Sequence, residues 1–132
     1  MAKILIVDDE PTIRQLFKYL FEEVGHEVTL AENGLEALEE LKTLSPDFMV
    51  LDVLMPQMSG REFIKELGRL AVNNPRLDEI PFVVMTGENF MDAELNKVFA
   101  SRPGFICFYP KMTPPALILK KIAEVIELRR KK

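Results

Sequence analysis

The sequence lacks the features of disulfide-stabilised, membrane-spanning and nucleic-acid-binding proteins. It contains one cysteine, Cys107, so no internal disulfide can form, and a buried strand position is the expected role of that residue. No apolar run is long enough to span a bilayer, and there is no signal-peptide pattern. The chain has 17 Lys and Arg against 21 Asp and Glu, which argues against nucleic acid as a direct partner. We therefore expect a cytoplasmic protein that has no membrane segment.

Repeats, low-complexity tracts and linkers are also absent, so the length of 132 residues indicates one domain over residues 1–132. Its core is expected to span about residues 3–128. Short apolar runs alternate with helical patterns along the chain. The first run is rich in β-branched side chains, which is typical of a strand buried on both faces. The five runs predicted to be strands are residues 4–7, 28–31, 48–51, 82–85 and 105–109.

Helix signals separate these runs. Pro11 opens the first helical pattern and Gly25 ends it. Asn33 is predicted to cap a helix that carries leucines through residue 44. Ser59 and Glu62 have the spacing of a capping box for the third helix. The remaining signals are a break at residues 73–76, a helix over about residues 92–99 and a last helix that opens at residues 113–114.

Strands that alternate with helices predict an α/β fold in which a parallel sheet is covered on both sides, giving three layers. Such sheets place their sites in the crevice at the carboxyl ends of the strands. The candidate site residues are therefore the polar side chains at which the apolar runs stop: Asp8, Asp9, Asp52, Thr86 and Lys111.

Three carboxylates at one edge of the sheet would repel one another by roughly 4 kcal/mol per pair at an intermediate dielectric constant. A hard divalent cation removes this conflict, and Mg²⁺ suits a few carboxylates together with phosphoryl oxygens. With the cation bound, Asp52 can act as a nucleophile toward phosphorus, because it ends a central strand opposite the acidic pair. The Lys111 ammonium and the Thr86 hydroxyl could then neutralise phosphoryl oxygens, and Gly87 leaves room beside the incoming group.

Each candidate also has an ordinary structural interpretation. An aspartate at a strand end is commonly a helix cap or a turn residue, and Thr86 and Lys111 could be loop residues. Their coincidence at the ends of separate parallel strands favours a site.

With these residues in place, the pattern resembles the receiver (CheY-like) domain of two-component response regulators over nearly the whole chain. The most specific part is an aspartate followed by x-x-Met-Pro-x-Met-x-Gly. The segments that carry the resemblance are ILIVDDE (4–10), GHEVTLAENGLEAL (25–38), PDFMVLDVLMPQMSG (46–60), IPFVVMTG (80–87) and FYPK (108–111). The resemblance implies a flavodoxin-like fold with sheet order 2-1-3-4-5 and five helices.

The resemblance also implies roles for individual residues. Asp52 would be the phosphoacceptor and Asp9 a direct Mg²⁺ ligand, with Asp8 acting mainly through water. The backbone carbonyl of Leu54 would be a further ligand, and Leu54 and Glu88 would tune dephosphorylation.

Thr86 resembles the switch hydroxyl of the family, Phe108 the switch aromatic residue and Lys111 the phosphate-binding lysine. The implied partners are a sensor histidine kinase or phosphotransfer protein and a downstream protein target. Such a domain catalyses its own phosphorylation and dephosphorylation but is a signalling module rather than an enzyme. The expected state is a monomer or a weak phosphorylation-linked dimer.

Three departures from the family pattern are visible. Met112 stands where a proline usually follows the lysine, and Pro110 precedes it. The connection between the third helix and the fourth strand, residues 72–80, is longer than usual, and residues 100–104 replace the common Gly-Ala turn. The departures near Lys111 and Phe108 leave open a phosphorylation-independent adaptor with the same fold. The sequence is compatible both with a stand-alone receiver and with a module of a larger protein. Two enzyme classes are disfavoured, because residues 8–10 do not suit a flavin phosphate loop and Leu54 stands where a haloacid-dehalogenase-like phosphatase needs an aspartate.

Overall fold

Every apolar run identified in the sequence is a strand in the structure. The computed structural model describes residues 2–53, 57–87 and 93–130, and only the backbone of residues 93–96 and 130. The strands are β1 (Lys3–Val7), β2 (Glu27–Ala31), β3 (Phe48–Asp52), β4 (Phe82–Thr86) and β5 (Phe105–Pro110). The α-helices are α1 (Pro11–Glu23), α2 (Gly34–Leu41), α3 (Gly60–Ala71), α4 (Ala93–Ala100) and α5 (Pro115–Arg130). A 3₁₀ helix, Pro75–Glu79, lies between α3 and β4.

All strand pairs are parallel, and the sheet order is β2-β1-β3-β4-β5, which confirms the expected flavodoxin-like fold. β3 and β4 are the strands whose residues are all buried, because helices cover both faces of the sheet. The register pairs Val7 with Leu51 and Asp52 with Met85. The carboxyl ends of β1, β3 and β4 therefore lie side by side at one edge.

The core has two layers, one on each face of the sheet. Buried side chains of α2, α3 and α4 pack on one face, among them Leu41, Leu67 and Phe99. Buried side chains of α1 and α5 pack on the other, among them Phe17 and Ile122. This arrangement confirms the three layers predicted from the alternation of strands and helices.

The first three predicted helix starts are present, and the second and third have side-chain capping hydrogen bonds. Pro11 occupies the first turn of α1. The Asn33 side chain accepts the backbone N–H of Glu36 at 2.9 Å. Ser59 and Glu62 form the reciprocal capping box at the start of α3.

One local expectation was wrong, and one short element was not predicted. The second helix ends at Leu41 rather than near Leu44, because the chain tightens into a turn in which the N–H of Lys42 donates to Glu39 at 3.2 Å. The break expected at residues 73–76 leads into the 3₁₀ helix. Among the described residues, no helix has the length and hydrophobicity to cross a bilayer.

Candidate functional site

Asp8 lies directly after β1 and is 5% exposed. Its Oδ1 accepts the backbone N–H of Glu10 at 3.0 Å, which fixes the turn into α1. Arg14 of α1 donates to the backbone carbonyl of Asp8 at 2.7 Å. These two hydrogen bonds hold the Asp8 carboxylate at the edge of the sheet.

Asp52 is the last residue of β3 and is 1% exposed. Its Oδ2 accepts a hydrogen bond from the Lys111 ammonium at 3.0 Å. Its Oδ1 is buried and has no hydrogen-bond partner among the described residues. A buried carboxylate oxygen left without a partner is costly, and such a group suggests a ligand or a catalytic role.

The three predicted carboxylates do come together. One oxygen each of Asp8, Asp9 and Asp52 lies within 4.8 Å of the others, with Asp8 and Asp52 buried and Asp9 exposed. A cluster composed only of carboxylate oxygens suits a hard divalent cation such as Mg²⁺. The unpartnered Oδ1 of Asp52 adds a second observation in favour of that fit.

The pKa directions report the crowding of negative charge. Burial, and next the charge of Asp8, raise the pKa of Asp52 to about 7, although the hydrogen bond from Lys111 opposes the shift. Burial also raises the pKa of Asp8, against the hydrogen bond from Glu10. For Lys111, burial is the largest single influence and lowers the pKa, but Asp52, Asp8 and Glu10 together outweigh it, so that the pKa is raised. Without a cation, this edge of the sheet therefore disfavours a fully ionised Asp52.

Gly60 positions the phosphoacceptor candidate, a role that the sequence analysis did not assign. Its N–H donates to the carbonyl of Val53 at 2.8 Å, which holds the start of α3 against the end of β3. A Cβ at this position would lie 2.4 Å from the carbonyl oxygen of Asp52. Only glycine allows this approach, and its place directly after the Ser59 cap was the available signal.

A second unassigned contact joins the β3–α3 loop to the start of α2. Gly34 donates its N–H to the carbonyl of Met58 at 3.1 Å, and the Asn33 amide donates to Gln57 Oε1 at 3.3 Å. Gln57 adopts φ 66°, a backbone conformation uncommon outside glycine. These contacts support the loop that follows Asp52 from its outer side.

The switch candidates Thr86 and Phe108 lie on adjacent strands. Thr86 ends β4 and is buried. The register pairs Val84 with Phe108 and Thr86 with Pro110, so the two candidates project to the same face, two positions apart. Phe108 is half-buried, and its ring centroid lies 5.7 Å from that of Phe99 in α4.

The unusual sequence around Lys111 still delivers its ammonium to the site. The Lys111 N–H donates to the carbonyl of Thr86 at 3.2 Å, and that of Thr113 donates to Pro110 at 2.9 Å. These bonds fix the backbone of the turn, while the Met112 side chain is 92% exposed. Leu54 and Glu88, for which the sequence analysis predicted roles, lie outside the described residues.

Residues 4–122 match the sequence profile of the response regulator receiver domain. The chain belongs to this family. It is 32% identical over 126 residues to protein PilH of Pseudomonas aeruginosa. The aligned region covers 96% of this chain and 98% of PilH. It spans only about half the length of some other curated relatives that it matches.

Solved structures agree with this assignment. The CheY-like receiver domain protein from Methanospirillum hungatei JF-1 superposes with a TM-score of 0.82 at 25% identity, covering 100% of this chain and 99% of that one. The response regulator TrrA from Thermotoga maritima, solved in complex with Mg²⁺-BeF, superposes with a TM-score of 0.73 at 28% identity, covering 95% and 99% of the two chains. Receiver domains are signalling modules rather than conventional enzymes, which places this receiver in the same class.

Proposed function

We propose that this receiver accepts a phosphoryl group on Asp52 in a two-component phosphorelay and changes its output surface in response. The observation that carries the proposal is the state of the Asp52 carboxylate. It is buried within an acidic cluster, with one oxygen on the Lys111 ammonium and the other without a partner among the described residues.

The transfer step uses these features directly. An Asp52 oxygen forms a bond to phosphorus while the bond from phosphorus to the donor's histidine nitrogen, or to the oxygen of an acyl phosphate, breaks. The electron pair stays on the leaving atom, which takes a proton from water when its basicity requires one. The Lys111 ammonium, held 3.0 Å from Asp52, is placed to bind a phosphoryl oxygen, and the Thr86 hydroxyl is the candidate donor to another.

Asp8, Asp9 and Asp52 are the described residues that would hold Mg²⁺, and the backbone carbonyl of Leu54 is the further ligand that the family resemblance implies. When bound, the cation would neutralise negative charge on the acids and on the phosphoryl oxygens. The chain's own residues do the rest: the Asp8 turn and the Gly60 contact set the positions of the acids, and burial keeps water from Asp52.

For the response, we propose that Thr86 moves toward the new phosphoryl group and that Phe108 turns inward, which would remodel the surface of α4 and β5. The shared face of the two residues and the packing of Phe108 against Phe99 support this coupling. The partners in this proposal are a sensor histidine kinase or phosphotransfer protein, as donor, and a downstream protein target. We propose a cytoplasmic location and a monomer or weak phosphorylation-linked dimer.

The test is phosphorylation by acetyl phosphate with Mg²⁺, read as the mass of one added phosphoryl group on the intact protein. The wild-type chain and Asp47→Asn, an exposed aspartate away from the cluster, are expected to gain the group. Asp52→Asn is expected to gain none. Equal labelling of Asp52→Asn would refute the assignment.

A second measurement separates the phosphoacceptor from an adaptor that acts without phosphorylation. The Mg²⁺-BeF complex reported for TrrA makes beryllium fluoride a suitable phosphoryl mimic. We expect saturable binding of Mg²⁺ with beryllium fluoride, lost in Asp52→Asn and retained in Asp47→Asn. If the wild-type chain shows neither labelling nor binding, the result would favour the adaptor.

A further inference from the structure

The surface between α2 and α3 carries a groove of about 500 Å³ that has no part in the phosphorylation site. This volume falls within the roughly 300–1,000 Å³ typical of small-molecule sites. Leucines make up most of its lining: Leu35, Leu38, Leu41, Leu67, Leu70 and Leu77. The groove depends on the segment between α3 and β4, because Asn73, Asn74 and Leu77 come from it.

The walls of the groove are fixed by hydrogen bonds from Arg76, which is not itself a lining residue. The Arg76 guanidinium donates to the carbonyl of Leu41 at 2.7 Å and to Ser45 Oγ at 3.0 Å, which ties the 3₁₀ helix to the end of α2. Leu77, next to Arg76, is 4% exposed and packs into the core with Leu41. A groove whose sides are tied in this way is formed before any ligand arrives.

The groove leaves apolar surface in contact with water. Leu35 is 50% exposed and Leu70 is 36% exposed. On α3, the neighbouring Glu66 and Arg69 form an ion pair on the outer surface. The apolar area is therefore bounded by charged side chains. A volume of about 500 Å³ accommodates one small molecule.

The charge of the lining selects the class of ligand. Its charged members are Glu39 and Lys42, which form an ion pair with each other at 2.9 Å. The lining therefore carries no net charge that would favour a cationic or an anionic ligand. The other polar residues of the lining, Asn73 and Asn74, are uncharged. We propose that this groove binds a small, uncharged, mostly apolar molecule.

The experiment compares two dyes that share one ring system. N-phenyl-1-naphthylamine is uncharged, and 8-anilino-1-naphthalenesulfonate adds a negative charge. Fluorescence titration of the full chain is expected to show saturable binding of one uncharged dye per chain, at least tenfold tighter than binding of the sulfonate. No saturable binding of the uncharged dye, or equal binding of the two dyes, would overturn the proposal.

Variants locate the dye. Leu70→Trp fills the groove from its exposed edge, and binding is expected to weaken at least tenfold. Leu128→Trp, at an equally apolar and 64% exposed position on α5, is the matched control and is expected to bind within twofold of wild type. Leu35→Glu, checked for folding by circular dichroism, supplies a second loss-of-binding variant should Leu70→Trp misfold. Equal binding by both groove variants and the control would place the dye elsewhere and refute the site.

Discussion

The two ends of the same parallel sheet differ in how completely their charged side chains are hydrogen-bonded. At the carboxyl end, Asp52 is buried, one of its oxygens has no hydrogen-bond partner among the described residues, and Asp8 and Asp9 lie close to it. At the amino end, Arg76 donates to oxygens of Leu41 and Ser45, and Arg102 donates to Asp78 at 3.2 Å. In the described part of the chain, Asp52 at the carboxyl end therefore lacks a hydrogen bond that its second oxygen could accept, whereas Arg76 and Arg102 at the amino end are both hydrogen-bonded.

This difference separates function from stability. A domain is stable by only about 5–15 kcal/mol, so a buried carboxylate with one oxygen that lacks a hydrogen bond costs a sizeable share of that stability. Such a cost is expected where a ligand or a covalent group later relieves it. The satisfied contacts at the amino end join α2, the 3₁₀ helix and the α4–β5 turn, and they are expected to hold the sheet in place while the other end changes state.

The largest expected effect is at the amino end. A Cβ on Gly104, just before β5, would lie 2.0 Å from the carbonyl oxygen of Ile80. Because that neighbour is backbone, relief requires β4 and β5 to separate, and the Gly104 carbonyl would then lose its hydrogen bond from Phe82. Gly104→Ala is expected to lower the free energy of unfolding by roughly 4 kcal/mol or more, measured by urea denaturation.

Gly87, directly after β4 at the carboxyl end, is the matched control. A Cβ there would meet nothing within 4 Å. Gly87→Ala is expected to change stability by less than about 1 kcal/mol. A similar loss in both variants would show that the two ends of the sheet do not differ in packing.

The contrast between the ends also explains what the sequence could predict. Asp8, Asp52 and Thr86 were found because apolar runs stop at them, and parallel strands bring such positions to one edge. The 3₁₀ helix was missed because five residues carry no periodicity. Its stability comes from Arg76 and Asp78, whose partners are remote in sequence. Gly60 was missed because its role is an approach of one backbone to another, which no pattern of side chains records.

The next largest change in stability is expected for a substitution of Asp52, measured with a chelator present so that the protein is free of metal. The pKa of Asp52 is raised from an ordinary 3.8 to about 7 by burial, so folding favours its neutral form. The resulting loss of folding stability is absent below about pH 4, grows as the pH rises toward 7 and is constant above about pH 7. At about 1.4 kcal/mol per pKa unit, Asp52→Asn is expected to stabilise the metal-free protein by roughly 2–4 kcal/mol at pH 8 and far less at about pH 4.

The measurement is urea unfolding at both pH values, with Asp47→Asn as the control. Asp47→Asn, at an exposed aspartate whose carboxylate accepts the backbone N–H of Lys3, is expected to stabilise the protein much less than Asp52→Asn at pH 8. A stabilisation by Asp52→Asn that does not grow between the two pH values would mean that the carboxylate is not held under strain, and the proposed contrast would lose its functional half.

The smallest effect tests whether the amino end is stabilised by its ion pair. Arg102 and Asp78 are about a quarter to a third exposed, and the Arg102 guanidinium packs over Gly68, where a Cβ would lie 2.6 Å from it. A double-mutant cycle with Arg102→Met and Asp78→Ala is expected to give a coupling free energy of about 0.5–1 kcal/mol, because partial burial limits screening by solvent. The same cycle on Lys42 and Glu39, an ion pair about 70% exposed, is expected to give no measurable coupling. Equal coupling in the two cycles would mean that Asp78 and Arg102 contribute no more than a surface pair, and that the rigidity of this end comes from Arg76 and the apolar core.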